Sequence, residues 1–418
     1  MSRIQNIFAR EILNSKAIPT VETIVVLDNG ITALASCPTG TSVGKYEAKE
    51  MRDNDPVRFG GLGVLKAIEN ITKIIAPKLI GGEVDRQHEI DKILIELDGT
   101  SNKSRLGTNS ILPVSMGVAK AAAKNMNTPL FAYLRRYTSI QNAPFKIPTP
   151  AFNIINGGKH AGNNLDFQEF IIIPATSIPF PETINMAVSV YQSLKKTLQG
   201  KSFSTLVGDE GGFGPSLSNN RDALVILNEA LGEGKYRLNY DIFFGIDASA
   251  DNFYQDGKYM IKDKESGMES SDLVTVYEGL NEEFNLLYLE DPLSEDDWDG
   301  WEKLNAITSR NTLIVGDDLI ATNLMRLQKA IDKKAVSAII LKPNQIGTVM
   351  ETLAVAEVAR NAGLKLVASH RSGETNDDFI ADFAVAIGAD YVKFGAPARG
   401  ERVAKYNRLL EIYSQIKQ

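Results

Sequence analysis

The sequence predicts an α/β protein in two parts, a small N-terminal α+β domain over residues 1–135 and a C-terminal α/β barrel over residues 142–418. Three observations lead there. At 418 residues the chain exceeds one ordinary domain, although a barrel of roughly 250 residues counts as one. Strand-like and helix-like segments alternate through the last two thirds without a Gly-x-Gly-x-x-Gly fingerprint, which favours a barrel over a dinucleotide fold. Finally, Asp247, Glu290, Asp317, Lys342, His370 and Lys393 each follow or end a short apolar run, at intervals of 43, 27, 25, 28 and 23 residues. The last four intervals are each about one strand-plus-helix unit, which takes roughly 25 to 30 residues.

The N-terminal part opens with a strand pattern, Thr20 to Val26, that ends at the turn Asp28-Asn29-Gly30. A Gly-bearing loop, Pro38 to Gly44, follows. Val64, Ile68, Ile71 and Ile75 then share one helical face, and Ile111 to Ala123 is rich in helix formers. The Pro-bearing stretch Asn142 to Pro150 reads as the link between the domains. Beyond it, the expected strands are Phe170–Ile173, Ile242–Ile246, Leu286–Leu289, Leu313–Val315, Ala338–Leu341, Lys365–Ala368 and Tyr391–Val392. Between them, Asn323 suits an N-cap for a helix whose face carries Leu324, Leu327 and Ile331, and a helix over Met350 to Asn361 stops near Gly363.

A composition of 43% hydrophobic and 23% charged residues suits a soluble globular protein. The net charge of −7 argues against nucleic acid as the main partner. Cys37 is the one cysteine, so no intramolecular disulfide forms, in keeping with a reducing compartment. There is no apolar leader at Met1 to Gln5 and no long apolar run, so the expectation is a cytoplasmic protein with no membrane partner.

In a barrel, residues at the C-terminal ends of the strands share one pocket. Asp247, Glu290 and Asp317 there are hard oxygen ligands that suit Mg²⁺. An acidic residue after a strand also caps the next helix; three in register, each on its own unit, favour a metal. Lys342 either snorkels to solvent or acts as a base, and a base must shed its proton well below the usual lysine range. The segment Ser369 to Thr375 is either an oxyanion or phosphate clamp or a polar surface turn. His160 and His370 lie in Gly- or Ser-bearing loops, whereas His88 reads as a solvated surface residue. The loops Asn156 to Gly162 and Gly208 to Pro215 are either ordinary turns or mobile lids.

Taken together, Ser369-His370-Arg371-Ser372-Gly373-Glu374-Thr375, Leu341-Lys342-Pro343-Asn344-Gln345-Ile346-Gly347, Gly208-Asp209-Glu210-Gly211-Gly212, Leu289-Glu290-Asp291-Pro292 and Gly316-Asp317-Asp318-Leu319 closely resemble the enolase family, the phosphopyruvate hydratases. The resemblance runs from about Arg10 to about Leu410. It implies an eight-stranded barrel with an irregular start, and dehydration of 2-phosphoglycerate to phosphoenolpyruvate. It also implies a first Mg²⁺ on Asp247, Glu290 and Asp317, and a second bound with help from Ser42. Lys342 would be the base at carbon 2, Glu210 the acid at the carbon-3 hydroxyl, and Glu169 its assistant. Arg371 and Ser372 would hold the phosphate, with His160, Gln168, His370 and Lys393 lining the substrate site. A homo-oligomer is implied as well.

The chain departs from the family pattern in places. Asn14-Ser15-Lys16-Ala17-Ile18-Pro19-Thr20 stands for Asp-Ser-Arg-Gly-Asn-Pro-Thr, Phe394 for Thr, and Gly400 for Ser. Glu411 stands where an Arg commonly pairs with the partner subunit's equivalent of Glu22. Two other readings are a racemase or cycloisomerase acting on an unphosphorylated acid, and a non-catalytic binding protein. Arg371-Ser372 with Lys393 argues against the first. The presence of every expected ligand and base argues against the second.

Overall fold

A computed structural model of the chain describes residues 2–41, 44–162, 164–308 and 310–417. Ser42, expected to help hold a second Mg²⁺, lies outside the described residues.

The N-terminal part is an antiparallel three-stranded meander, β1 (Ile4–Leu13), β2 (Pro19–Leu27) and β3 (Thr32–Ser36), backed by helices. Alternate residues of β2 are buried, as a half-covered strand requires. The helix Thr108–Asn125 lies across β2 and β3, and a Cβ at Gly117 would come within 2.9 Å of Val25. Of the expected face Val64, Ile68, Ile71 and Ile75, Ile68 is only partly buried and the other three are fully buried, on a helical stretch that widens into a π turn at Ile71–Ile75. Helix Leu324–Lys333 is capped by the Asn323 side chain, as expected, but its buried face is Leu327 and Ala330, while Leu324 is 41% exposed.

The C-terminal part is a closed sheet. The strands are β4 (Thr149–Pro150), β5 (Phe152–Asn156), β6 (Glu169–Pro174) and β7 (Ile242–Asp247), a small hairpin of β8 (Tyr254–Gln255) and β9 (Lys258–Tyr259), then β10 (Tyr288–Glu290), β11 (Leu313–Gly316), β12 (Ala338–Leu341), β13 (Lys365–Ser369) and β14 (Tyr391–Lys393). Their order is β4-β14-β13-β12-β11-β10-β7-β6-β5, with β8 and β9 apart. Only Ala151 separates β4 from β5, so the run Thr149–Asn156 bonds to β14 on one side and to β6 on the other. It closes a ring of eight strands.

Two points differ from the sequence reading. The expected link ends in the first barrel strand: Thr149 and Ala151 donate to Asp390 and Val392, and Pro150 sits between them where no donor is needed. In addition, β6 runs antiparallel to both neighbours, whereas the other pairings of the ring are parallel. Its first residue, Glu169, therefore stands level with the last residue of β7, Asp247.

The barrel is filled, not hollow. Ala151, Ile171, Ile173, Tyr288, Val315, Ala338, Ile340, Val367 and Tyr391 form its inner cluster. Gly245 makes room for Tyr288, since a Cβ there would lie 2.9 Å from the Tyr288 Cβ. A second, larger core joins the outer strand faces to the helices and the N-terminal domain. Among the described residues, no helix is long and apolar enough to cross a membrane.

Candidate active site

The strand register places the ionisable ladder on one rim. Asp247, Glu290 and Lys393 end β7, β10 and β14, while Asp317, Lys342 and His370 directly follow β11, β12 and β13. Glu290 stands opposite Asp247, and Ser369 opposite Lys393. Every expected site residue that is described, except Glu290, lines a single pocket at this rim. Glu290 lies just beneath, fully buried, accepting from the Tyr288 hydroxyl and from Lys393.

The backbone around these carboxylates is strained. Ser249, Asp291, Ala321 and Thr322, which follow β7, β10 and β11, all have φ between 40° and 50°. Non-glycine residues hold such angles at about 1–3 kcal/mol each, and only where the surroundings fix them. Here they are fixed by hydrogen bonds. Ser249 donates its N–H to Asp247 at 3.0 Å. Asp291 accepts the N–H groups of Asp317 and Asp318 at 3.0 and 2.9 Å. Thr322 accepts the N–H of Lys342 at 3.0 Å and donates to Gln345 at 2.6 Å, and Gln345 donates to Asp317 at 3.0 Å.

Two lysines stand among the carboxylates. Lys393 Nζ lies 2.7 Å from Glu290, 3.0 Å from Asp247 and 3.3 Å from Glu169. It is held charged, since the three carboxylates outweigh the effect of burial. Lys342 is ion-paired to Asp317. Burial pulls its ammonium down, but the carboxylates around it, Asp317 first and then Glu290, leave it raised. Lys342 is thus no snorkelling residue; its side chain is 11% exposed and turned into the pocket.

The carboxylates still outnumber these cations. Burial, together with the charge of Asp247, pushes Glu290 up to about 8. Burial and the surrounding acids likewise raise Asp291 and Asp318. An excess of buried oxygen ligands fits a hard divalent cation. Among the described residues, possible ligand atoms come within 4.8 Å of one another in two groups of three, His160 with Glu169 and Glu210, and Asp291 with Asp317 and Asp318. Asp247, Glu290 and Asp317 do not form such a group, because Lys393 sits between the first two and Lys342 holds the third.

Across the ring, Glu210 accepts from Asn153 at 2.9 Å and lies 3.3 Å from His370 Nε2 and 3.5 Å from His160 Nδ1. Burial raises the Glu210 carboxyl, but His370, His160 and the Arg402 guanidinium together lower it below the usual range. Burial pushes His370 down to about 3. Glu169 is raised well above the carboxylate range by burial and by the charge of Glu210. The two neighbouring carboxyls are thus pushed in opposite directions. Such splitting of two neighbouring carboxyls is how acid and base roles are set apart.

The clamp segment is no surface turn. Arg371 and Ser372 are 4% and 6% exposed. The Arg371 guanidinium is gripped by Glu47 of the N-terminal domain at 2.7 and 3.1 Å and touches Asn344 at 3.2 Å. Thr41 meets the Ser372 hydroxyl through both its N–H and its own hydroxyl, at 2.8 and 2.7 Å. Gly40 permits this approach, since a Cβ there would lie 1.9 Å from the guanidinium. Lys16, where the family pattern has Arg, bonds Thr41 at 2.7 Å and pairs with Asp209. Ala17, where that pattern has Gly, adopts φ 55°. His88 is exposed, as expected.

Sequence reasoning missed Glu47, Gln345, Thr322 and Arg402. Gln345 lies within the motif Leu341 to Gly347 without a role assigned to it, whereas Glu47 and Thr322 carry no local signal. Arg402 left one: Arg402, Lys405, Leu409 and Ile412 are spaced as one helical face, and all four are buried.

Two family models match the chain, "Enolase, N-terminal domain" over residues 4–134 and "Enolase, C-terminal TIM barrel domain" over residues 144–418. An "Enolase" from Acidothermus cellulolyticus is 47% identical over 416 residues, covering 100% of this chain and 95% of its own length. The chain belongs to the enolase family of lyases, the phosphopyruvate hydratases.

Proposed function

We propose that the chain catalyses the reversible, Mg²⁺-dependent dehydration of 2-phosphoglycerate to phosphoenolpyruvate, with Lys342 as base and Glu210, supplied by Glu169, as acid. One observation carries this reading. In the eight-strand ring, Lys342 follows β12 and Glu169 begins β6, four strands apart in either direction. Base and acid thus face each other across the pocket, as removal of a proton and a hydroxyl from opposite faces of adjacent carbons demands.

The rest of the rim supports the same reading. Between base and acid, one arc carries Asp247, Glu290 and Asp317 on β7, β10 and β11, and the other carries Arg371 and Ser372 after β13. Substrate carboxylate and phosphate then have separate walls. Asp247, Glu290 and Asp317 would hold Mg²⁺, which when bound would supply positive charge beside the substrate carboxylate, the solution known for the enolase superfamily. Lys342 becomes a neutral amine once Asp317 is engaged elsewhere, because burial, Arg371 and Lys393 all then favour loss of its proton. The proton stored on Glu169 passes by way of Glu210, within 4.8 Å, to the departing hydroxyl. His160, Gln168, His370 and Lys393 line the substrate, and Ser42 contributes to a second Mg²⁺.

The proposal includes the domain limits 1–135 and 142–418, a cytoplasmic setting, and a homo-oligomer. Within one chain, Glu22 pairs with Arg10 at 2.6 Å and Glu411 with Arg408 at 2.8 Å. The two glutamates therefore each have a local partner in place of the family's intersubunit ion pair.

The two roles separate by exchange in D₂O. Lys342→Ala is expected to lose both exchange at carbon 2 and water loss. Glu210→Gln is expected to lose water loss by about 10²- to 10⁴-fold while keeping exchange. Exchange lost equally in both variants would overturn the assignment.

A further inference from the structure

We propose that Arg402 is a positioning residue for the acid end of the site: its guanidinium locks His370 in the Nε2–H tautomer, so that a neutral imidazole aims one hydrogen-bond donor at Glu210. The proposal rests on the reading of Glu210 as the acid.

Arg402 lies in the first turn of the helix Gly400–Lys417 and is fully buried. Its Nη1 stands 2.7 Å from His370 Nδ1. A guanidinium has no lone pair to offer, so Nδ1 must accept, and in a neutral imidazole the hydrogen then resides on Nε2. Nε2 lies 3.3 Å from the Glu210 carboxylate, on its side of the ring but without hydrogen-bond alignment and with no other partner among the described residues. The imidazole is neutral because burial, with Arg402 and Lys393 nearby, outweighs the pull of Glu210. A donor held at that point favours the ionised form of Glu210.

The same guanidinium ties together the loops that must move as one. It donates to the carbonyls of Arg371 at 2.5 Å, Ser372 at 2.6 Å and Asp209 at 3.1 Å. Asp209 precedes Glu210, and Arg371-Ser372 is the phosphate clamp. The acid and the clamp therefore share one anchor. Without it, His370 would be free to place its hydrogen on Nδ1, turning the Nε2 lone pair toward the Glu210 carboxylate.

The test is ¹⁵N NMR of the imidazoles together with steady-state kinetics. The chain has three histidines, and comparison with His370→Gln assigns the resonance. In the wild-type protein His370 should show the Nε2–H tautomer and not titrate between pH 5 and 9. This readout needs no turnover, so it stands apart from any failure of the proposed reaction. Arg402→Lys, whose ammonium still donates to Nδ1, should keep that tautomer and retain most of kcat. Arg402→Met should lose the lock, show mixed tautomers and lose about 10- to 100-fold in kcat. An Nδ1–H or protonated His370 in the wild-type protein at neutral pH would overturn the proposal. So would an Arg402→Met enzyme that loses kcat but keeps a pure Nε2–H His370, because Arg402 would then be a brace only. Should Arg402→Met not fold, the wild-type and Arg402→Lys spectra decide.

Discussion

Asp91 joins the two domains in a way that pH should reveal. It sits in the helix Gln87–Asp98 of the N-terminal domain, 1% exposed. It accepts from Ser115 at 2.6 Å, from Gln87 at 3.0 Å and from the N–H of Met350 at 2.9 Å. The last bond caps the barrel helix Val349–Asn361, whose preceding loop carries Lys342. Burial pushes Asp91 from 3.8 to about 7, against the opposing effect of its three donors. With the folded value above the unfolded one, its contribution to stability is fully present below about 3.8 and is lost as pH rises through about 7. A gap of about 3 units corresponds to roughly 4 kcal/mol in total at about 1.4 kcal/mol per unit. Roughly half of that, about 2 kcal/mol, falls between pH 5.5 and 8.5. Asp91→Asn removes the titration and keeps the shape. Its oxygen meets Met350, while its NH₂ faces the Gln87 amide and the Ser115 hydroxyl, a cost that does not change with pH. Thermal melts of both proteins from pH 5.5 to 8.5 should show the variant gaining a few degrees on the wild type as pH rises. A difference that stays constant over that range would refute the reasoning.

Two other perturbations test the charges at the site. Lys393→Met leaves Glu169, Asp247 and Glu290 without their shared buried cation. It should cost about 3–5 kcal/mol in urea denaturation and abolish activity; wild-type stability would contradict the account. Glu47→Gln weakens the grip on Arg371, where a charge-assisted bond contributes about 1.5–3 kcal/mol. KM for 2-phosphoglycerate should rise about tenfold or more with little change in kcat, and an unchanged KM would remove Glu47 from the clamp.

The ladder was legible because barrel strands are buried on both faces. Runs such as Ala338–Leu341 stand out as apolar, and the first polar residue after each, such as Lys342, marks the rim. The first strand was not legible. Thr149–Asn156 is short and begins among prolines, which read as a linker. Strand direction leaves no trace in composition either, so Glu169 at the start of β6 came from the family resemblance and not from the ladder. Lys393 looked like a substrate ligand. Its position among three carboxylates depends on register between distant strands, which local pattern does not encode. Glu47 and Arg402 are functional only because loops far apart in sequence meet over Arg371 and His370.

In the proposed reaction, a cation held by Asp247, Glu290 and Asp317 works beside a base at Lys342 and an acid at Glu210. The most direct measurement is formation of phosphoenolpyruvate from 2-phosphoglycerate by the purified, chelator-treated protein, titrated with Mg²⁺. The account predicts no turnover without Mg²⁺, recovery as it is added, and no recovery in Asp317→Asn at the same Mg²⁺ concentration. Turnover that persists in excess chelator, or a folded, Mg²⁺-supplied protein that leaves 2-phosphoglycerate unchanged, would contradict it.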